Sequence, residues 1–140
     1  MTVNKELFRE IADAVEEEPA MYDQGAWGNF KCETPGCIAG WATHLMGTNP
    51  ENVVDESVEK TALRYLFNIP PTDSFKQGYF PKLFASSWPI AWFEKVGIDT
   101  EPLRIIDDEI APEAPHAAII CRAIADGVLS EDEVLNHEIH

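Results

Sequence analysis

The chain contains no apolar run of membrane-spanning length, and its first residues, MTVNKELFRE, lack the apolar stretch of a secretory signal. The expectation is a cytoplasmic protein with no membrane partner. Basic residues are also scarce: ten Lys and Arg stand against 25 Asp and Glu, for a net charge of −15. Neutralising phosphates supplies most nucleic-acid affinity, so this balance argues against direct nucleic-acid binding. Cysteine is limited to three residues, an odd number that suits no disulfide scaffold in a reducing compartment. With 140 residues and a hydrophobic content of 45%, the chain can bury one core without disulfides or a structural metal.

What is present centres on Trp27 to Gly47, WGNFKCETPGCIAGWATHLMG. Thr34-Pro35 reads as an N-cap followed by the first residue of a helix that runs to Met46. On that register Cys37 falls at the third helical position, where converging N–H groups would lower its pKa if solvent reached it. Gly36, Ala39, Gly40, Thr43 and Gly47 recur at three-and-four spacing and leave one face almost bare, while Ile38, Trp41 and Leu45 recur on another. A buried central helix is the expectation, with Gly47 as its stop.

These residues carry a resemblance. The order Trp27, then Cys32, Thr34, Cys37, Ile38, Ala39, Gly40 and Trp41 resembles a set of small uncharacterised proteins of tailed phages and bacteria. They carry a Cys-Gly-Thr-x-x-Cys-x-Ala-Gly block after an N-terminal helix, then a Leu-Gly-Leu-like helix end and a Leu-Phe segment. Leu66-Phe67-Asn68-Ile69 and Leu83-Phe84 would be the counterparts here, and Glu33 replaces the usual Gly in the turn between the cysteines. The resemblance covers the middle half of the chain and implies a helical fold and a phage-like origin. It brings no activity with it.

Periodicity elsewhere predicts further short helices. Residues 4 to 18 place Leu7, Phe8, Ile11 and Val15 on one face, with Asn4 as cap and Pro19 as stop. Residues 19 to 33 form a loop whose aromatics pack over the core. Asp55 to Phe67 is helical, with Asn68 as a left-handed cap before Pro70-Pro71. Residues 70 to 88 read as irregular, with a helical turn around Lys82 to Ala85. Pro89 to Val96 is helical and stops at Gly97. Residues 99 to 111 hold a helical turn or a short strand. Pro112 or Pro115 opens a helix to Asp126 that Gly127 closes. Ser130 and Glu133 form a capping box for the last helix, with Leu129 and Val134 as its hydrophobic staple. The fold class is therefore mainly α: a single compact domain over 1–140, of five or six short helices with long irregular connections.

No constellation completes a catalytic or metal-binding set. A calcium loop ending at Glu133 fails because Arg122 and Ile124 would stand at its first ligand positions. Zinc fails because Cys37 and His44 lie ~10 Å apart along one helix. Three successive carboxylates, Asp107-Asp108-Glu109, point in diverging directions and read as a solvated acidic turn. No cofactor is implied. The enzymatic alternative places Cys37 as nucleophile with His116 as base, and the thiol-switch alternative pairs Cys32 with Cys37. Charge is divided between two acidic flanks, each with net −9, and a middle stretch 60–95 of net +3 that is rich in aromatics. Trp88 and Trp92 are expected to be buried. Left exposed, they would join Trp27, Tyr79 and Phe80 as an interaction surface. The reading is a small acidic accessory protein that binds a macromolecule, most naturally a basic protein.

Overall fold

An asparagine starts the first helix and also fastens it to the third. The structure, a computed structural model, describes residues 3–26, 28, 36–47, 58–68 and 82–135, the side chains of Glu59 and Lys60 excepted. Within these residues run α1 (Lys5–Glu17), α2 (Ile38–Leu45), α3 (Val58–Phe67), α4 (Ile90–Lys95), α5 (Ala114–Ala125) and α6 (Glu131–Leu135). Two 3-10 turns, Pro19–Met21 and Lys82–Phe84, join them. A two-residue strand β1 (Trp88–Pro89) pairs antiparallel with β2 (Glu109–Ile110), Trp88 opposite Ile110. The expected mainly α fold is the observed one.

Asn4 accepts a hydrogen bond from the Leu7 amide at 3.1 Å, which caps α1. Its side-chain amide donates to the Tyr65 carbonyl at 3.1 Å, and its backbone N–H donates to Leu66 at 2.7 Å. These bonds satisfy carbonyls at the end of α3 that the helix itself leaves open. Leu7, Phe8, Ile11, Ala12 and Val15 are all buried, as the spacing predicts, and Phe8 meets Phe67 edge-on at 5.5 Å between ring centres. Fully burying each large side chain contributes about 1.5–3 kcal/mol, several times what a surface ion pair gives. The apolar face therefore governs where α1 packs.

The central helix begins later than the Thr34-Pro35 signal implies. Cys37, extended at ψ −177, is the N-cap and Ile38 the first helical residue. Gly36 donates to Met21 and accepts from Asp23, both at 3.0 Å, in a one-residue parallel bridge between Tyr22 and Gly36. That pairing holds residue 36 out of the helix. Thr34, Pro35 and the expected helix start lie outside the described residues, as do residues 55–57 of the predicted third helix. Ile38, Ala39, Gly40, Trp41, Ala42 and Thr43 are buried, and α2 packs against both α1 and α3. Thr43 returns its hydroxyl to the Gly40 carbonyl at 2.8 Å and leaves no unsatisfied donor.

The helix ends follow the sequence closely. Asn68 adopts φ +56 beyond α3, and Gly97 adopts φ +84 beyond α4. Glu113 caps α5, with its own N–H donating to His116 Nδ1 at 3.2 Å. At α6 the Glu133 N–H donates to Ser130 Oγ at 3.1 Å, and the Ser130 N–H donates to Glu133 at 2.9 Å. Leu129 and Val134, the staple, are buried. The predicted helix over 89–96 loses its first residue to β1, because Pro89 caps α4 from an extended conformation.

Two arginines trim the α1–α5 packing. Arg122 of α5 donates to Asp13 at 2.8 Å and to Glu16 at 2.6 Å, and Arg9 reaches Asp126 at 3.0 Å. The acids at the C-terminal end of α1 are thus partly answered from the neighbouring helix. The hydrogen bond from Arg122 holds the Glu16 carboxyl below its ordinary value of 4.5; at Glu133 the Ser130 N–H, then Lys95, has the same effect. A depressed carboxyl contributes stability that is present above the unfolded value and lost as pH falls through the folded one. Glu16→Gln and Glu133→Gln are therefore expected to lower the unfolding midpoint slightly at neutral pH. That difference from the parent should vanish as pH drops below 4.5, as checked by thermal melts across a pH series.

Candidate functional site

The loop after α1 carries the polar centre of the molecule. Asp23 accepts from the Gly25 amide at 2.8 Å, and the Ala26 amide donates to the Asp23 carbonyl at 3.2 Å. This tight turn places the side chain of Gln24, buried at 6% exposure, against the core. There its carbonyl oxygen accepts from Tyr22 Oη at 2.7 Å and from the Ile38 amide at 3.3 Å. Its nitrogen donates to the Leu83 and Ala85 carbonyls, both at 3.0 Å. A glutamine amide has two donors and two acceptor lone pairs, so all four are used. Trp88 Nε1 adds a second bond to the Leu83 carbonyl at 3.0 Å. Burial, then the nearby Cys121 and Cys37 thiols and the Asp23 carboxylate, raise the Tyr22 pKa well above its usual value. Tyr22 consequently remains a hydrogen-bond donor.

Beside this centre lies a cavity of about 460 Å³ bordered by Gln24, Gly25, Cys37, Phe84 and Ser86. Cys37 is 1% exposed, so the solvent access that would have lowered its pKa is missing. Burial pushes the thiol up to about 11, and the N–H groups of Gly40 and Ala39 at the start of α2 only partly offset this. At neutral pH the thiolate, the form that attacks electrophiles, is therefore disfavoured. Cys121 is fully buried and its pKa is raised by the same cause. Cys32 lies outside the described residues.

His116 lines a different cavity, a groove of about 720 Å³ between the 103–110 hairpin and the start of α5. Its Nδ1 accepts the Glu113 N–H, and its ring meets Phe93 edge-on at 5.7 Å. The structure therefore gives His116 a capping role and puts it in a different cavity from Cys37. Trp88 at 0% and Trp92 at 5% exposure are core residues, packed on each other at 5.7 Å. Trp27, Tyr79 and Phe80 lie outside the described residues. Among the described residues no three His, Cys, Asp or Glu side chains converge on a common metal position. Likewise, no helix among them is long and apolar enough to cross a membrane.

The acidic turn is present, with structure the sequence did not announce. Asp107 and Asp108 both take positive φ, +53 and +62, while Ile106 and Glu109 exchange two backbone hydrogen bonds of 3.0 Å. This is the pattern of a two-residue hairpin of the primed kind, which usually recruits Asn-Gly. Glu109 turns away from its neighbours to pair with Lys82 and Ser87. Gln24 escaped the sequence reading altogether, because one polar residue in a polar loop has no periodicity to betray burial.

No family model matches this chain, and neither a curated protein nor a solved structure does.

Replacing Gln24 by Leu strands Tyr22 Oη, the Ile38 amide and the Ala85 carbonyl without their partner. A loss of about 2–4 kcal/mol in urea unfolding is expected, and a loss well under about 1 kcal/mol would show that water substitutes for the amide. Cys37 and Cys121 are expected to alkylate in the native protein only as fast as it opens. Rapid labelling of Cys37 at neutral pH, read by peptide mapping, would contradict the burial described above.

Proposed function

We propose that this chain is a small acidic accessory protein, of the kind a phage encodes, that acts by binding a protein partner with a basic surface. The supporting observation is the distribution of its charges. Arg9, Lys82, Lys95 and Arg122 are all engaged by the chain's own carboxylates. Exposed Glu6, Glu10, Glu17, Asp99, Asp107 and Asp108 have no ion pair with any described residue. The outward field is therefore strongly negative, which steers association with basic surfaces and disfavours acidic ones. The thiol alternative would require a Cys37 thiolate and a base beside it, and burial of the sulfur opposes the first.

Partner capture is the test. On this reading a basic protein retained on the immobilised chain at 0.1 M salt is released at 1 M, where the screening length falls from about 10 Å to 3 Å. Retention indifferent to salt overturns the electrostatic reading. A thiol-dependent activity lost in Cys37→Ala, with the fold intact, would replace it.

A further inference from the structure

The groove beside the acidic hairpin has a floor, two walls and a charge, and together these define what it can hold. Leu103 and Ile106 supply apolar surface along it, Ile110 is almost wholly buried, and Asp107, Glu113 and the base Arg104 also border it. Ile106 is 57% exposed, the most exposed large apolar side chain among the described residues, and the adjoining Ile105 is 41% exposed. Ile105 lies outside the groove lining, so Ile106 is the exposed apolar contact that the groove itself presents. The surrounding stretch 99–113 carries six acids against the single base Arg104.

The walls are fixed before anything binds. Ile106 is held opposite Glu109 by the paired backbone bonds of the turn, and Ile110 is registered against Trp88. The Ile90 amide donates to the Asp108 carbonyl at 2.8 Å, and Glu109 is tied to Ser87 and Lys82. The other wall is the first turn of α5, closed by the Glu113 and His116 capping box. A surface held in this way loses little freedom on binding.

From these features we infer that the groove between the 103–110 hairpin and the start of α5 docks a short basic segment of the partner protein, with an aliphatic side chain on Ile106 and cationic side chains beside Asp107 and Asp108. The inference rests on the acidic-binder reading above and assigns that binding a place. Charge complementarity selects the occupant. A second copy of the chain would bring two acidic hairpins together, and a nucleic acid would set phosphates against carboxylates. A metal ion lacks converging ligands among the described residues. The apolar floor in turn distinguishes a peptide with aliphatic side chains from a simple polycation.

The test is a titration of the whole isotope-labelled chain, followed by amide chemical shifts. The probes are a lysine–leucine alternating peptide and an all-lysine peptide of equal length. Saturable shifts confined to 103–116 are expected with the lysine–leucine peptide, bound at least about tenfold more tightly than the all-lysine one. Ile106→Glu is expected to weaken binding by about tenfold or more, since it removes the central apolar contact. Asp107→Asn with Asp108→Gly keeps a turn the backbone already favours and removes two charges, so it should weaken binding while the fold survives. Saturable shifts that fall instead on the acidic face of α1, with no preference between peptides, overturn the groove and leave the acidic-binder reading standing. Absence of saturable binding by either peptide overturns both.

Discussion

The side-chain amide of Gln24 is the constraint on which the middle of this molecule depends. It joins three segments with no covalent proximity: the loop after α1, the first turn of α2 and the stretch around Leu83 to Ala85. Each bond taken singly is worth about 0.5–1.5 kcal/mol net. The arrangement matters more because every alternative leaves buried donors and acceptors unmatched, which costs the full desolvation of each group. The same node fixes the start of α2, positions Cys37 against the neighbouring cavity and seats the carbonyl that Trp88 shares.

Around that centre the helices are ordered by apolar burial, and the charged contacts adjust rather than determine the packing. Phe8, Ile11 and Val15 of α1 and Ile120 and Ile124 of α5 are fully or almost fully buried. The ion pairs of Arg122 are partly exposed, and solvent and salt screen pairs of that kind. Their larger consequence is for the outer surface. They neutralise some of the few bases present and leave the remaining acids to set the sign of the field.

Cys37 illustrates how position and environment can oppose each other. A sulfur at a helix N-terminus is stabilised as the thiolate by the N–H groups facing it, yet removal from water acts in the opposite direction and dominates. Helix placement was visible in the sequence to within a few residues, and so was the burial of the helix; how completely the sulfur is withdrawn from water was not. The acidic hairpin shows the converse. Its charge was plain in the sequence as Asp107-Asp108-Glu109, while its division into two outward aspartates and an inward glutamate came from the pairing of β1 with β2.

The sequence by itself determined the helical class and most helix ends. These are local effects: Asn4, Asn68, Gly97, Gly127 and the Ser130–Glu133 box act within a turn of the residues they cap, so their chemistry can be read in order along the chain. It also determined the burial of α1's apolar stripe and the negative sign of the surface. Tertiary structure alone decided that α2 begins at Ile38 and that Gln24 is a core residue. It alone placed Cys37 and His116 in separate cavities and left Ile106 standing in the groove while Ile110 went inside. Each of these depends on partners that are distant in sequence, such as Leu83 for Gln24 or Trp88 for Ile110. Neither spacing nor composition encodes which distant backbone will arrive to satisfy a given polar group.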